Sequence, residues 1–239
     1  MAGFFYHLGR LLGPKVRKAQ WLARSLTGSD EEAAAAEYAV GRDLAQALAQ
    51  QMEIDRQPEV ERWLAEIGAR LAAHVANRQR RFCFRLVRAA EVNAFALPGG
   101  FIFVTGPLLE LCRGDAHETA FVLGHEMGHV VRQHAIERLM ANSLISAAVG
   151  RLTPGKGLLR TPLAGLAASL LNQGYSQGQE LEADRVGVAL SRAAGFDPAA
   201  AGRLLARLGG GGTGLLGSYF SSHPPFELRL QHIEQFLRA

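Results

Sequence analysis

The sequence predicts an α+β fold, a mostly helical domain with a small antiparallel sheet next to the helix that carries the pentapeptide HEMGH at residues 125–129. Apolar residues recur with a helical period over most of the chain. Two short runs, residues 82–87 and 101–105, are rich in β-branched and aromatic residues and read as strands. Because these runs precede the pentapeptide closely, we expect the sheet and the helix to be neighbours.

The composition is compatible with one domain over residues 29–239, preceded by a basic amphipathic segment at residues 1–28. The chain has 239 residues, of which 48% are hydrophobic and 20% are charged, which is enough for a buried core. Five basic residues and no acidic one precede Asp30. The N-terminal segment is therefore interpreted either as a peripheral membrane contact or as a segment that packs on the domain or is poorly ordered. The remaining charge is nearly balanced, which argues against a nucleic-acid partner.

The sequence contains no convincing targeting or membrane-spanning segment. No apolar run is long enough for a transmembrane helix, and Arg10 interrupts the apolar start of the chain. We therefore expect a cytoplasmic or peripheral membrane location, with the periplasm left open. Cys83 and Cys112 are far apart and belong to no C-x-x-C pair, so neither a disulfide framework nor a cysteine zinc site is indicated.

The first half of the chain is expected to supply scaffold helices and the sheet. Ser29 and Glu32 have the spacing of a capping box and begin a helix to about residue 52. Pro58 suits the first turn of a second helix. Extended segments are then predicted at residues 82–87, 93–96 and 101–105, with a Pro-Gly-Gly turn before the last and a short helix at residues 107–112.

The second half is predicted to be helical. Asp115 and Glu118 have the spacing of a helix start, and this helix is expected to continue to about residue 139. Further helices are predicted at residues 158–172, 177–194 and 197–208, and from Pro225 onward, with Gly195 as a stop signal. The glycine-rich residues 209–217 are expected to form either a plain linker or a mobile lid.

The pentapeptide has the H-E-x-x-H pattern of zinc hydrolases. His125 and His129 are four residues apart, so they lie one turn apart on one helix face and can bind one metal ion. Glu126 is then aimed near the open coordination position. Roughly 0.02 such matches are expected by chance from this composition, and the alternative is a core helix that happens to carry two histidines.

A catalytic zinc usually has three protein ligands, so a third is required. His134 lies five residues after His129, about 140° round a continuous helix, and is expected to be a surface or structural histidine. Glu180 and Asp184 share one face of a later helix. One of them can bind zinc while the other orients a ligand histidine, although a solvated acidic face is the alternative. Glu182 is expected to point elsewhere.

Together, HEMGH and the block Glu180-Leu181-Glu182-Ala183-Asp184 resemble the gluzincin metallopeptidases related to CAAX prenyl proteases, HtpX and BepA. The segment NAFALPGG at residues 93–100 matches the family's segment ahead of the metal helix. Ser222-His223-Pro224, followed by Arg229, matches its downstream His-Pro block. The resemblance covers roughly residues 60–238, with four motifs in the family's order.

The resemblance implies a role for each matching residue. His125, His129 and Glu180 would bind one Zn²⁺ per chain, and Glu126 would be the general base. Asp184 and Arg229 would lie behind the ligands. His223 would lie near the metal, either stabilising the oxyanion or occupying the open position in a resting state.

The function expected from these residues is zinc-dependent endoproteolysis of unfolded or flexible proteins, with Glu126 activating a water on the zinc. The alternative is a zinc-containing chaperone or a membrane-associated quality-control module whose proteolysis is secondary. If residues 101–105 form a sheet edge over the metal, an extended peptide can pair with it. Substrate contacts are accordingly expected at Asn93, Phe95, Phe101 and Phe103. The alternative is that residues 101–105 form an ordinary core strand.

Overall fold

The computed structural model describes residues 30–50, 52–138, 174–210, 223 and 226–238. The helices are α1 Asp30–Ala49, α2 Pro58–Ala72, α3 Gly106–Leu111, α4 Ala116–Val131, α5 Gln177–Ala193, α6 Ala200–Gly210 and α7 Phe226–Arg238. The strands are β1 Cys83–Val87, β2 Ala94–Leu97 and β3 Phe101–Thr105. The mostly helical α+β class is confirmed. The expectations for residues 1–28 and for a helix at 158–172 lie outside the described residues.

The sheet is mixed rather than antiparallel. Its strand order is β1-β3-β2, in which β3 pairs parallel to β1 and antiparallel to β2. A tight turn at Pro98–Gly100, with φ of 76° at Gly99, joins β2 to β3 and makes that pair antiparallel. The order of the strands depends on tertiary packing, which the local sequence does not encode. Because β3 is central, the prediction that it forms a sheet edge is wrong.

Both faces of the sheet are buried, which is why β2 is apolar throughout and β3 is apolar up to its last residue, Thr105. One face packs on a core formed mainly with α2, α4, α5 and α6. Its strand residues are Phe84, Ala94, Ala96, Ile102 and Val104. The other face packs on α1 through a second cluster that includes Leu44, Leu48, Phe95, Leu97, Phe103 and Ile136. The sheet thus lies between α1 and the helices that carry the pentapeptide and its partners.

Two helix boundaries differ from prediction. Helix α4 ends at Val131 rather than near residue 139, because the backbone turns at Arg132 and Gln133, where φ of Gln133 is 60°. A new helical segment begins at His134. No glycine or proline marks this turn, so the sequence contains no clear signal for it. Helix α6 extends to Gly210, so the first two residues of the predicted glycine-rich loop are helical, and the rest of that loop lies outside the described residues.

Glycines let α4 and α5 approach closely. A Cβ atom at Gly187 of α5 would lie 2.8 Å from the backbone nitrogen of His125, and one at Gly128 of α4 would lie 2.9 Å from the carbonyl oxygen of Ala183. Both distances are too short for a real side chain. The pair of helices can therefore bring the pentapeptide against α5 only because these positions lack a side chain.

None of the helices described is both long and apolar enough to cross a membrane.

Gly187→Ala is expected to force α4 and α5 apart and to lower the free energy of unfolding by about 1–3 kcal/mol, the usual cost of overpacking a core. Denaturation by urea measures this change. Gly178→Ala is the matched control on the same helix, since no atom lies within 4 Å of a Cβ there. Equal unfolding midpoints for the two variants would contradict the close helix contact.

Candidate metal centre

Helix α4 presents the pentapeptide inside the protein. The side chain of Asp115 caps the helix by accepting hydrogen bonds from the backbone N–H groups of His117 and Glu118, as its spacing predicts. Every residue from 118 to 130 is buried, including His125, Glu126 and His129. The helix is therefore a core element, and His125 and His129 are available only to groups that pack against it.

Helix α5 supplies the facing carboxylates. Ser176 and Gln179 form a capping box at its start, which fixes the first turn that carries Glu180. Glu180 and Asp184 are almost completely inaccessible, at 0% and 1% exposure. The alternative of a solvated acidic face is therefore excluded for this pair.

Four potential ligand atoms converge, contributed by His125, His129, Glu180 and His223, and all lie within 4.8 Å of one another. The Nε2 atoms of the two pentapeptide histidines are 3.1 Å apart. Glu180 Oε1 lies 3.4 Å from His129 Nε2 and 2.9 Å from His223 Nδ1. His223 Nδ1 lies 3.4 Å from His125 Nε2.

These spacings fit a zinc ion. Ligand atoms placed tetrahedrally at the usual zinc distance of 2.0–2.1 Å are about 3.3 Å from one another, which lies within the observed range of 2.9–3.4 Å. Imidazole nitrogens and a carboxylate are also the donors that zinc prefers. In addition, Oε2 of Glu126 is buried and has no hydrogen-bond partner within the described part of the protein, which is typical of a carboxylate oxygen that faces an ion or water.

The protonation states favour metal binding. Burial lowers the pKa of His129 well below its usual value, so its ring is neutral and has a free lone pair. Burial would raise the pKa of Glu180, but the positive charges of His223 and Arg229 hold it well below the usual range. Burial raises the pKa of Glu126, which strengthens its carboxylate as a base.

A salt bridge lies behind the first histidine. Asp184 Oδ1 is 2.8 Å from His125 Nδ1, the ring nitrogen that faces away from the converging atoms. Arg229 of α7 donates two hydrogen bonds to Asp184, of 2.8 Å from Nε and 2.7 Å from Nη2. Nη1 of Arg229 also lies 3.0 Å from Oε2 of Glu180. Although burial opposes it, Arg229 lowers the pKa of Asp184 to about 2.

Of the two expectations for His134, the surface histidine is wrong and the structural histidine agrees with the structure. His134 is buried, and its Nδ1 lies 2.9 Å from Nδ1 of His129. The 140° rotation applied to a continuous helix, whereas the chain turns at residues 132 and 133. Glu182, expected to point elsewhere, lies 3.2 Å from the other ring nitrogen of His134.

Tyr175 is a site residue that sequence reasoning missed. Its ring stacks on His129 with centroids 3.7 Å apart and an interplanar angle of 13°. The guanidinium of Arg138 lies 4.0 Å from the centroid of the tyrosine ring. Since no motif includes Tyr175, only its position just before the capping box of α5 connects it to the site.

The four residues proposed to contact substrate lie in the sheet, with different surroundings. Phe95 and Phe103 are core residues that stack on each other at 5.1 Å, and Phe101 packs on Tyr38 at the same distance. The three side chains lie on the face of the sheet covered by α1, and their contact with substrate stays a prediction. Asn93 is half-buried and exchanges hydrogen bonds with Thr105 at the end of β3.

Comparisons with known proteins agree with the site. The sequence model of one family, described as Peptidase family M48, matches residues 58–237. The chain is 36% identical over 150 residues to mitochondrial metalloendopeptidase OMA1 of Arabidopsis thaliana, which is 63% of this chain and 30% of that protein. It is 32% identical over 186 residues to the beta-barrel assembly-enhancing protease of Escherichia coli, which is 73% of this chain and 36% of that protein.

A third relative is metalloprotease LoiP of Escherichia coli, 33% identical over 161 residues, which cover 65% of this chain and 63% of that protein. The chain thus spans less than two-thirds of the length of each of these relatives. The matches confirm the resemblance to zinc metallopeptidases that the ordered motifs indicated.

Proposed function

The chain belongs to peptidase family M48, and on this premise we propose that it is a zinc-dependent metalloendopeptidase that cleaves unfolded or flexible polypeptides. The observation that carries the proposal is the unpartnered carboxylate oxygen of Glu126 beside four convergent ligand atoms. A site that only binds metal has no need of a buried base at this place. The similarity to a metalloendopeptidase, a protease and a metalloprotease supports the same reaction class.

His125, His129 and Glu180 are the proposed zinc ligands. Bound zinc would supply a Lewis acid that polarises the scissile carbonyl and lowers the pKa of water. Glu126 accepts a proton from the attacking water and passes it to the leaving nitrogen. Its raised pKa suits both steps, because a carboxylate that binds the proton more firmly is a better base and can then release it to an amine.

Glu126→Gln is expected to retain zinc and to abolish cleavage, because the amide keeps the size of the side chain but cannot accept the proton. Digestion of casein measures cleavage, with metal content determined on each protein and a chelator-treated wild type in parallel. Glu110→Gln, at an exposed position, is the control and should cleave like wild type. Full zinc-dependent activity in Glu126→Gln would refute the assignment of the base.

His223 is proposed to occupy the fourth coordination position in a resting state. Its Nδ1 belongs to the group of four ligand atoms, and its Nε2 lies 3.6 Å from Oε1 of Glu126. A histidine at this place fills the space between the base and the metal ligands where substrate and water would react. The conformation described here therefore corresponds to a latent enzyme that must release His223 before turnover.

His223→Ala is expected to raise the rate of casein cleavage several-fold, because the fourth position becomes accessible. His232→Ala, in the following helix and outside the metal centre, is the control and should leave the rate unchanged. A loss of activity in His223→Ala with zinc retained would instead assign this residue to stabilisation of the oxyanion, whose removal typically costs about 10²–10³ in rate.

The edge proposed to hold substrate is β2 rather than β3. The carbonyl of Asn93 accepts a hydrogen bond from the backbone N–H of Thr105 in β3. In an antiparallel pair every second residue bonds to the neighbouring strand, so Phe95 and Leu97 also bond to β3. The backbone groups of Ala94 and Ala96 then point the other way. The carbonyl of Ala94 indeed lies 3.4 Å from Nε2 of His223. An extended peptide paired with this edge would pass beside the metal centre.

Ala96→Pro is expected to raise KM for an unfolded substrate while the fold and the zinc content stay intact. Proline removes the outward N–H that would bond to substrate, and edge strands tolerate proline where that group is not used by the sheet. Steady-state kinetics and circular dichroism measure the two properties. An unchanged KM in a folded, zinc-loaded variant would exclude pairing at this edge.

A further inference from the structure

The outer ring nitrogen of His129 faces a second imidazole. His129 Nδ1 lies 2.9 Å from His134 Nδ1, and His134 Nε2 lies 3.2 Å from Glu182 Oε2. The three side chains form a row that begins at the metal centre and ends at Glu182, whose side chain is 51% exposed. The row runs from the buried site to the protein surface.

The proton positions along the row follow from the chemistry of imidazole. A neutral histidine that binds metal through Nε2 carries its proton on Nδ1, so His129 is the donor in its contact with His134. His134 Nδ1 is then the acceptor, which leaves the proton of neutral His134 on Nε2, where it faces the carboxylate of Glu182. Each contact in the row thus has one donor and one acceptor.

We propose that His134, supported by Glu182, is a positioning residue that fixes the tautomer and the ring orientation of the metal ligand His129. The proposal rests on the zinc site described above and adds residues outside it. Tyr175 stacks on the ring of His129 and can hold its plane. A stacked ring does not determine which nitrogen carries the proton, whereas an acceptor at Nδ1 does.

The two pentapeptide histidines are held differently. His125 meets the carboxylate of Asp184 directly, and that carboxylate is buried and bonded to Arg229. His129 instead contacts the neutral ring of His134. The carboxylate in this row is that of Glu182, which lies beyond His134 at the surface. Because the negative charge is more distant and better solvated, His129 gains the required orientation without another buried charge next to the metal.

The turn after α4 places His134 for this role. Gln133, with its positive φ, donates a hydrogen bond to the buried carboxylate of Glu37 in α1. Arg80 pairs with the same carboxylate at 2.8 Å. Glu37, itself held by Arg80, therefore fixes the turn at Gln133. This turn directs the side chain of His134 toward His129.

The test compares two substitutions of His134, one that removes the acceptor for His129 and one that keeps an acceptor. His134→Phe keeps an aromatic ring but removes the acceptor. His134→Asn loses the ring but places its amide oxygen near the position of Nδ1, where it can accept from His129. Zinc affinity is measured by competition with a chelator, and the absorption spectrum of the cobalt-substituted protein reports the geometry of the ligands.

We expect His134→Phe to weaken zinc binding by about 10–100-fold, the usual effect of losing such an outer partner, and to alter the cobalt spectrum. His134→Asn should restore the affinity to within a few-fold of wild type. His74→Phe, at an exposed histidine, is the control and should bind zinc normally. Wild-type affinity in His134→Phe, or equal weakening in both His134 variants, would overturn the proposal.

A second measurement needs no substitution and remains decisive if His134→Phe does not fold. Long-range ¹H–¹⁵N correlation spectra of the zinc-loaded wild type should show His134 protonated on Nε2 alone. Protonation on Nδ1 would overturn the proposal. If neither the wild type nor His223→Ala cleaves casein although both bind zinc, the proposed peptidase is refuted without affecting this assignment, so the two failures can be told apart.

Discussion

The close contact between α4 and α5 is the constraint on which the metal centre depends. The pentapeptide helix supplies two imidazoles and the proposed base, but the proposed ligand carboxylate comes from another helix 51 positions later, counted from His129 to Glu180. Only a backbone-to-backbone approach brings the short carboxylate within reach, and Gly128 and Gly187 permit it. Larger residues at these positions would move Glu180 away from the histidines while leaving both helices intact.

That contact also concentrates negative charge in the protein interior. Glu126, Glu180 and Asp184 are all buried, and Arg229 is the buried guanidinium paired with two of them. Although burial opposes it, Glu180 and Glu126 raise the pKa of His223, so these carboxylates favour a positive charge beside them. A divalent cation held by the ligand atoms would supply such a charge. The electrostatics of the site thus favour a metal ion at the place where the ligand atoms converge.

The sequence predicted the parts of the site that depend on local pattern. The helix start at Asp115, the stop at Gly195 and the shared face of Glu180 and Asp184 follow from spacing alone, and the structure has each of them. The helix boundary at Val131 does not follow, because the turn that ends α4 is held by contacts with Glu37, nearly a hundred residues earlier.

Tertiary packing also decided the sheet. The hairpin between β2 and β3 is signalled by its Pro-Gly-Gly turn, whereas the insertion of β3 beside β1 has no local signature. The error about His134 and the error about the substrate edge therefore have one origin. In both cases a local rule was extended to a segment whose path is set by residues far away in sequence.

The position of His223 connects latency to the choice of substrate. Its ring contacts the metal ligands on one side and the carbonyl of Ala94 on the other, at 2.9 Å from Glu180 and 3.4 Å from the edge of β2. On the proposed mechanism, a peptide that pairs with this edge must displace His223 before it can reach the metal. Each main-chain hydrogen bond contributes about 0.5–1.5 kcal/mol, so several bonds together can shift the ring from its resting position. A folded substrate cannot offer an extended edge of this kind, which makes the release of His223 selective for flexible chains.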